Sequence, residues 1–241
     1  MPGDWLARWN FDPILIGAMV LAAGLHALLL RRNRAWPQKR LPFALAWLLL
    51  VVLFVSPLCA LSSALFSVRV AHHVILVTLI PLLAALALPD RWRDMAVPAG
   101  TLAGLLAVHA AIVWMWHEPS LYALALSHHA AFWLMQLSLF GTALLFWNLV
   151  LSPRTQLFTS ITTLLAATAQ MGLLGAIITF AERPLYAPHL TSTTAFGLTP
   201  LEDQQIAGLI MWVPAVLPYL AVALILLAQQ LSPSAQVSRH R

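Results

Sequence analysis

Seven long apolar runs divide the sequence, and they limit its possible folds more than any other feature. They cover about residues 12–30, 41–59, 68–89, 95–116, 126–150, 157–181 and 203–228. A helix of about 20 apolar residues can cross a bilayer, and it satisfies its own backbone polar groups in lipid. The alternating pattern of a transmembrane barrel strand is missing. The sequence therefore predicts an all-α polytopic membrane protein, in which residues 1–241 form a single bundle of seven transmembrane helices.

Charged residues are scarce, which supports this prediction and excludes several functions. Of the 241 residues, 61% are hydrophobic and 9% are charged, whereas a soluble domain has about 25% charged residues. We therefore expect the lipid bilayer as the surroundings, and no nucleic acid, because no basic run is long enough. A retinal-type receptor is excluded because its Schiff base needs a lysine, and the single lysine, Lys39, falls between two spans. No nucleophile motif is recognisable, so we do not expect an enzyme.

The basic residues lie in alternate loops, which predicts the orientation of the bundle. Regions 31–40, 89–94, 152–156 and 238–241 hold five, two, one and two of the thirteen Lys and Arg residues. Short loops rich in Lys and Arg stay on the cytoplasmic side of a membrane. We therefore predict an N-terminus outside and a C-terminus in the cytoplasm.

Histidines are concentrated in the predicted outer half of the chain. Seven of the nine histidines lie there, and polar groups inside a membrane tend to mark sites. The predicted metal ligands are His72, His73, His109, His117, His128 and His129. Cys59 and Met115, at similar depth, add a thiol and a thioether. This mixture suits Cu(I), so copper is the expected cofactor. Any one of these histidines could instead be a hydrogen-bonded interior residue or an interface anchor.

The seventh run begins with polar residues, TPLEDQQIAGLIMW (199–212). Thr199 at the N-cap and Glu202 three residues later predict a capping box, with Pro200 at the first helical position. The cap does not explain Asp203, Gln204 and Gln205, which already enter the span. They either hydrogen-bond metal-binding histidines or fasten the seventh helix to its neighbours. We favour the first interpretation.

Several motifs together resemble the seven-helix CtaG family of cytochrome c oxidase assembly factors. They are SPLCALSSALFS (56–67), HH (72–73), LIPLL (79–83), WHEPSLYALAL (116–126), LLFWNLVL (144–151), GAIITFAERPLY (175–186) and TPLEDQQIAGLIMWVP (199–214). The resemblance implies a multi-pass protein of the bacterial cytoplasmic (inner) membrane that is needed to make active cytochrome c oxidase. It further implies a role in copper delivery or insertion on the outer, periplasmic side. The implied partner is an oxidase subunit or a copper chaperone.

The family's motifs map onto His73, His117, Asp203, Gln204 and Gln205. Arg69 and Glu118 are close to these histidines in the sequence, and we predict them as further polar neighbours of the site.

The sequence departs from the family at two places. Arg69 stands where the family typically has a histidine. On the fifth helix, Phe132, Met135 and Gln136 stand in place of a His-x-x-Glu-His pattern, and His128 and His129 lie one turn earlier.

Two other functions remain open. Paired histidines in membrane helices could be the axial ligands of a haem-binding membrane cytochrome. The departure at Arg69 favours a scaffold that holds an oxidase subunit without binding a metal.

Overall fold

The computed structural model describes residues 3–94, 98 and 100–231, and these residues form helices and connecting segments without a strand. The α-helices are α1 (Pro13–Arg32), α2 (Trp36–Phe54), α3 (Leu58–Ala64), α4 (Phe66–Val77), α5 (Leu79–Leu86), α6 (Asp90–Arg93), α7 (Thr101–Trp116), α8 (Pro119–Ser127), α9 (His129–Val150), α10 (Leu157–Thr179), α11 (Pro200–Trp212) and α12 (Leu217–Leu231). Short 3₁₀ helices cover Trp5–Ala7, Ala187–His189, Thr193–Phe196 and Pro214–Val216. The predicted all-α class is confirmed.

Six helical stretches in the described residues are long and apolar enough to cross a membrane. They are Pro13–Arg32, Trp36–Phe54, Phe66–Leu86, His129–Val150, Leu157–Thr179 and Pro200–Leu231. The remaining predicted span, 95–116, corresponds to a shorter apolar helix of 16 residues, α7. Its predicted first residues, 95–97, lie outside the described residues. The count of seven spans and the orientation of the termini therefore stay predictions.

The third candidate span lies at the centre of the bundle. Within its most apolar window, 61% of the residues are buried, compared with 11% for the first span. The span is interrupted at Thr78, between α4 and α5, because Pro81 has no N–H to donate to the carbonyl of Val77. The indole Nε1 of Trp147 donates to that carbonyl instead, at 3.2 Å. A neighbouring helix thus satisfies the polar group that the proline leaves free.

Helices α10 and α11 cross at two glycines. The backbone at Gly208 lies so close to α10 that an added Cβ would be 2.6 Å from the carbonyl oxygen of Gly175. Small residues at a helix crossing allow such an approach in a membrane protein. The crossing fixes the beginning of the last span against the end of α10.

The last span is broken in the middle. Helix α11 ends at Trp212, a 3₁₀ turn covers Pro214–Val216, and α12 follows. The two halves pack into different groups of buried apolar residues. Ala207 and Met211 belong to a large group with α4, α7 and α9, whereas Tyr219 packs with Phe146 and Trp147 in a smaller one. The prolines in this segment thus separate two packing units.

Candidate functional site

Three histidine rings from α4 and the end of α7 lie next to one another, edge to face. The ring centroids of His72 and His73 are 5.8 Å apart, and those of His73 and His117 are 6.0 Å apart. Each of these residues is at most 5% exposed. Helix α4 supplies the first two rings, and the third follows the last residue of α7. The structure therefore brings together three of the six histidines that the sequence singled out.

These rings have nitrogens that are not used in hydrogen bonds. The Nδ1–H of His117 donates to the carbonyl of Val113 at 2.7 Å, because a carbonyl can only accept. That assignment leaves a lone pair on Nε2 of His117. The Nε2 of His73 and both ring nitrogens of His72 are buried without a hydrogen-bond partner. Buried polar atoms are normally satisfied, so nitrogens without a partner are unusual here.

Imidazole nitrogens of this kind suit copper or zinc. Cu(I) accepts two neutral nitrogen donors. His73 and His117 are neighbours on different helices, so both could hold one ion. Among the described residues, no group of three or more His, Cys, Asp or Glu side chains is positioned to hold a metal ion. Copper binding itself stays a prediction.

The two departures from the family pattern contact each other. The guanidinium of Arg69 lies over the ring of Phe132, with 5.5 Å between its central carbon and the ring centroid. Met135 is fully buried, and Gln136 lies against His72 without a hydrogen bond of normal geometry. A cation and an aromatic ring attract each other in this arrangement. Arg69 and Phe132, which stand at the two altered positions, thus contact each other beside the histidines.

Asp203 is bound to the start of α4. Its carboxylate accepts hydrogen bonds from the backbone N–H groups of Phe66 and Ser67, at 2.6 and 3.1 Å, and from the hydroxyl of Ser67. The first N–H groups of a helix have no partner within the helix, and a negative charge is favourable there. Asp203 therefore caps α4 across a long sequence distance. The favoured expectation that Asp203 hydrogen-bonds an outer histidine is not met.

Gln204 fastens a different segment. Its Oε1 accepts from the backbone N–H of Leu185 at 2.6 Å, and its Nε2 donates to the carbonyls of Ile178 and Arg183. Gln205 is half-buried and makes no side-chain hydrogen bond within the described residues. The geometry agrees with the second interpretation of DQQ, in which the motif holds the seventh helix to its neighbours.

The capping box at the start of α11 is confirmed. The hydroxyl of Thr199 accepts from the backbone N–H of Glu202, and the carboxylate of Glu202 accepts from the backbone N–H of Thr199.

The other predicted site residues lie away from the three rings. His109 is about 12 Å along the helix from His117, where its Nδ1 hydrogen-bonds the hydroxyl of Thr142 at 2.9 Å. Met115 is 41% exposed on the outside of α7. Glu118 caps α8 through the backbone N–H of Leu121.

The remaining three predicted residues line one separate cavity. Cys59 is half-buried, and His128 and His129 are exposed there. Burial raises the pKa of the Cys59 thiol.

An aromatic layer that sequence reasoning missed adjoins the site. Tyr186 donates its hydroxyl to the carbonyl of His117 at 2.9 Å, and its ring stacks on Phe66. The hydroxyl of Tyr122 bonds Nε2 of His189 at 2.7 Å. Both tyrosines belong to the LY pairs in the WHEPSLY and ERPLY motifs, and these pairs were the available signal. The long loop before α11 is thus tied to the backbone of His117 and to Tyr122 of α8.

His189 makes the packing of this loop dependent on pH. Its Nδ1 donates to the carbonyl of Ala64, so Nε2 must be unprotonated to accept from Tyr122. Burial lowers the pKa of His189 below its usual value of about 6.5. The unfolded loop therefore binds a proton more readily than the folded loop, so stability is complete above about pH 6.5 and falls at lower pH.

We expect amide hydrogen exchange of residues 187–198, corrected for intrinsic rates, to show weaker protection at pH 5.5 than at pH 7.5. The His189→Gln variant has no titrating ring at this position, so the difference should be smaller. Equal protection of the natural protein at both pH values would contradict the expectation.

The fold and the buried histidines define a multi-pass α-helical membrane protein with a polar centre near one end of its bundle. The sequence model of the cytochrome c oxidase caa3 assembly factors (Caa3_CtaG) matches residues 22–232. Because this match covers most of the chain, the protein belongs to that family, and the resemblance seen in the motifs is confirmed. Membership assigns it to the assembly of cytochrome c oxidase, and hence to interaction with that oxidase. No curated protein and no solved structure matches the chain.

Proposed function

We propose that this assembly factor holds one Cu(I) ion between His73 and His117 and passes it to cytochrome c oxidase on the outer side of the membrane. The proposal is carried by three observations: the buried rings of His73 and His117 are neighbours, Nε2 of His73 has no hydrogen-bond partner, and the bond from Nδ1 of His117 leaves a lone pair on its Nε2. Copper is here a cargo that enters and leaves. Two neutral donors bind it less firmly than the closed four-ligand sites that hold structural metal ions, as a delivery function requires.

The residues around the pair have separate parts in this proposal. The bond from Nδ1 of His117 to the carbonyl of Val113 fixes the ring and directs Nε2 away from its own helix. Tyr186 and Phe66 stack on each other, and the Tyr186 hydroxyl holds the backbone carbonyl of His117 in place. His72, the third ring, is placed beside His73 and supplies a further nitrogen during transfer.

Copper retention tests the proposal. Purified protein loaded with Cu(I) under reducing conditions and then washed should retain about one copper per chain. The double variant His73→Ala/His117→Ala should retain only background copper because both donors are lost. His109→Ala is the matched control, since it removes a buried histidine from the same helix and should keep the metal.

Three outcomes would redirect the interpretation. The copper proposal fails if the natural protein retains no metal, or if the double variant retains as much. A Soret band in the unloaded protein would favour the membrane cytochrome. Co-purification with an oxidase subunit that the double variant leaves unchanged, combined with no copper retention, would favour a scaffold without metal.

A further inference from the structure

An outer cavity of about 840 Å³ lies between the N-terminal segment, α3 and the start of α9. Its lining includes Arg8, Cys59, Arg69, His128 and His129. Most of the charged and titratable side chains around it are exposed, but Arg69 is only 3% exposed. Arg69 is therefore the deepest charge in this cavity.

Arg69 forms no ion pair with an acid within the described part of the chain, although its guanidinium lies close to the hydroxyl of Tyr122. Its Nε donates to the carbonyl of Ser62 at 3.1 Å, and its plane rests on Phe132. One terminal nitrogen, Nη1, is buried without a hydrogen-bond partner. A buried charge without a counter-ion is costly. This geometry indicates an anionic ligand in the cavity, because an anion would both supply the counter-ion and accept from Nη1.

The cavity continues into an apolar groove of about 550 Å³ along α1, α2 and α9. Asp12, Leu15, His129 and Trp133 line both spaces, so the two are adjoining. Below these shared residues the lining is mainly apolar, as at Ala18, Met19, Leu50, Leu137 and Phe140. The pair of spaces thus joins a cationic chamber to a hydrophobic channel along a membrane-spanning helix.

We propose that this composite site binds one anionic phospholipid. The phosphate lies beside Arg69, and one acyl chain follows the groove between α1 and α9. The acid at the junction, Asp12, is already engaged, because its carboxylate accepts from the backbone N–H groups of Ile14 and Leu15. Arg8 is paired with Asp4 at 2.8 Å and lies at the exposed rim. The lipid connects the loosely packed first helix to the rest of the bundle.

Native mass spectrometry tests the proposal with the full-length protein. The protein is reconstituted in nanodiscs of dioleoylphosphatidylglycerol and dioleoylphosphatidylcholine in equal amounts, and the lipid retained after release is identified. We expect one retained phosphatidylglycerol. Arg69→Gln should lower its retention about tenfold, as expected for the loss of a charge-assisted bond. Arg40→Gln is the matched control, because it removes an exposed charge outside the cavity and should leave retention unchanged.

Two further arms separate a lipid from a free anion. Ala18→Trp places a large ring in the groove without touching the cationic chamber, and it should also displace phosphatidylglycerol. Inorganic phosphate at millimolar concentration should not compete. The proposal is overturned if phosphate displaces the lipid and Ala18→Trp has no effect, since the site then takes a free anion. It is also overturned if Arg69→Gln retains the lipid fully. If Arg69→Gln does not fold, the lipid retention of Ala18→Trp decides whether the proposal holds.

Discussion

Replacing Gly208 with alanine is expected to prevent the normal docking of α11 on α10. A Cβ at this position would lie 2.2 Å from Oγ1 of Thr179, 2.6 Å from the carbonyl oxygen of Gly175 and 2.7 Å from the backbone nitrogen of Thr179. Two of these atoms belong to the backbone, so a side-chain rotation cannot relieve the overlap. Overpacking costs about 1–3 kcal/mol or more in a well-packed core. The helices must separate, which also pulls Asp203 away from α4.

The yield of monodisperse protein and its melting temperature in detergent measure this effect. We expect Gly208→Ala to lose most of its folded material. Gly141→Ala is the matched control, because nothing lies within 4 Å of the added Cβ in the middle of α9. That variant should be as stable as the natural protein, or more so, since alanine favours a helix by about 1 kcal/mol. Equal melting temperatures for the two variants would show that α10 and α11 do not cross closely at Gly208.

Removing the carboxylate of Asp203 is expected to destabilise the protein by about 3 kcal/mol. The Asp203→Ala variant leaves the backbone N–H groups of Phe66 and Ser67 buried without an acceptor. Each such group costs about 1–3 kcal/mol. The beginning of α4 then frays next to His72 and His73, so the damage reaches the histidine centre indirectly.

Thermal or denaturant unfolding compares this variant with Glu202→Ala. Glu202 precedes Asp203, but its carboxylate is exposed and serves only the local capping box, so its loss should cost about 1 kcal/mol or less. Equal effects of the two substitutions would contradict the capping role of Asp203. Asp203→Asn distinguishes the two original interpretations of this residue. If it lowers copper per folded chain without lowering stability, Asp203 supports the histidines directly.

The features that sequence predicts well here are those with a local cause. Apolar length sets the spans, and the capping box follows from Thr199 and Glu202 alone. The pairing of His73 with His117 could be anticipated because family motifs marked both residues. The role of Asp203 could not, because its partner Phe66 is 137 residues away. Nothing in the sequence shows which helix N-terminus, with its unpaired backbone N–H groups, a distant buried acid will cap.

Depth along a helix explains why other predicted site residues lie apart. His109 and His117 share a face of α7, yet eight residues of rise separate them along the helix axis. His128 and His129 precede the altered fifth-helix positions by about one turn in the sequence. They lie at the first turn of α9, where the chain is exposed, and not at the level of Gln136. Two residues on the same face of a helix are therefore less certain to share a site than two residues at the same depth along the bundle axis.

The break between α11 and α12 divides the last span into two halves, which pack against different parts of the molecule. Ala207, Met211 and Ala215 pack with the histidine-bearing helices, and the residues from Tyr219 onward pack around Phe146 and Trp147. The geometry around His73 and His117 therefore depends on the first half of this span, and the second half is held by a different set of aromatic partners.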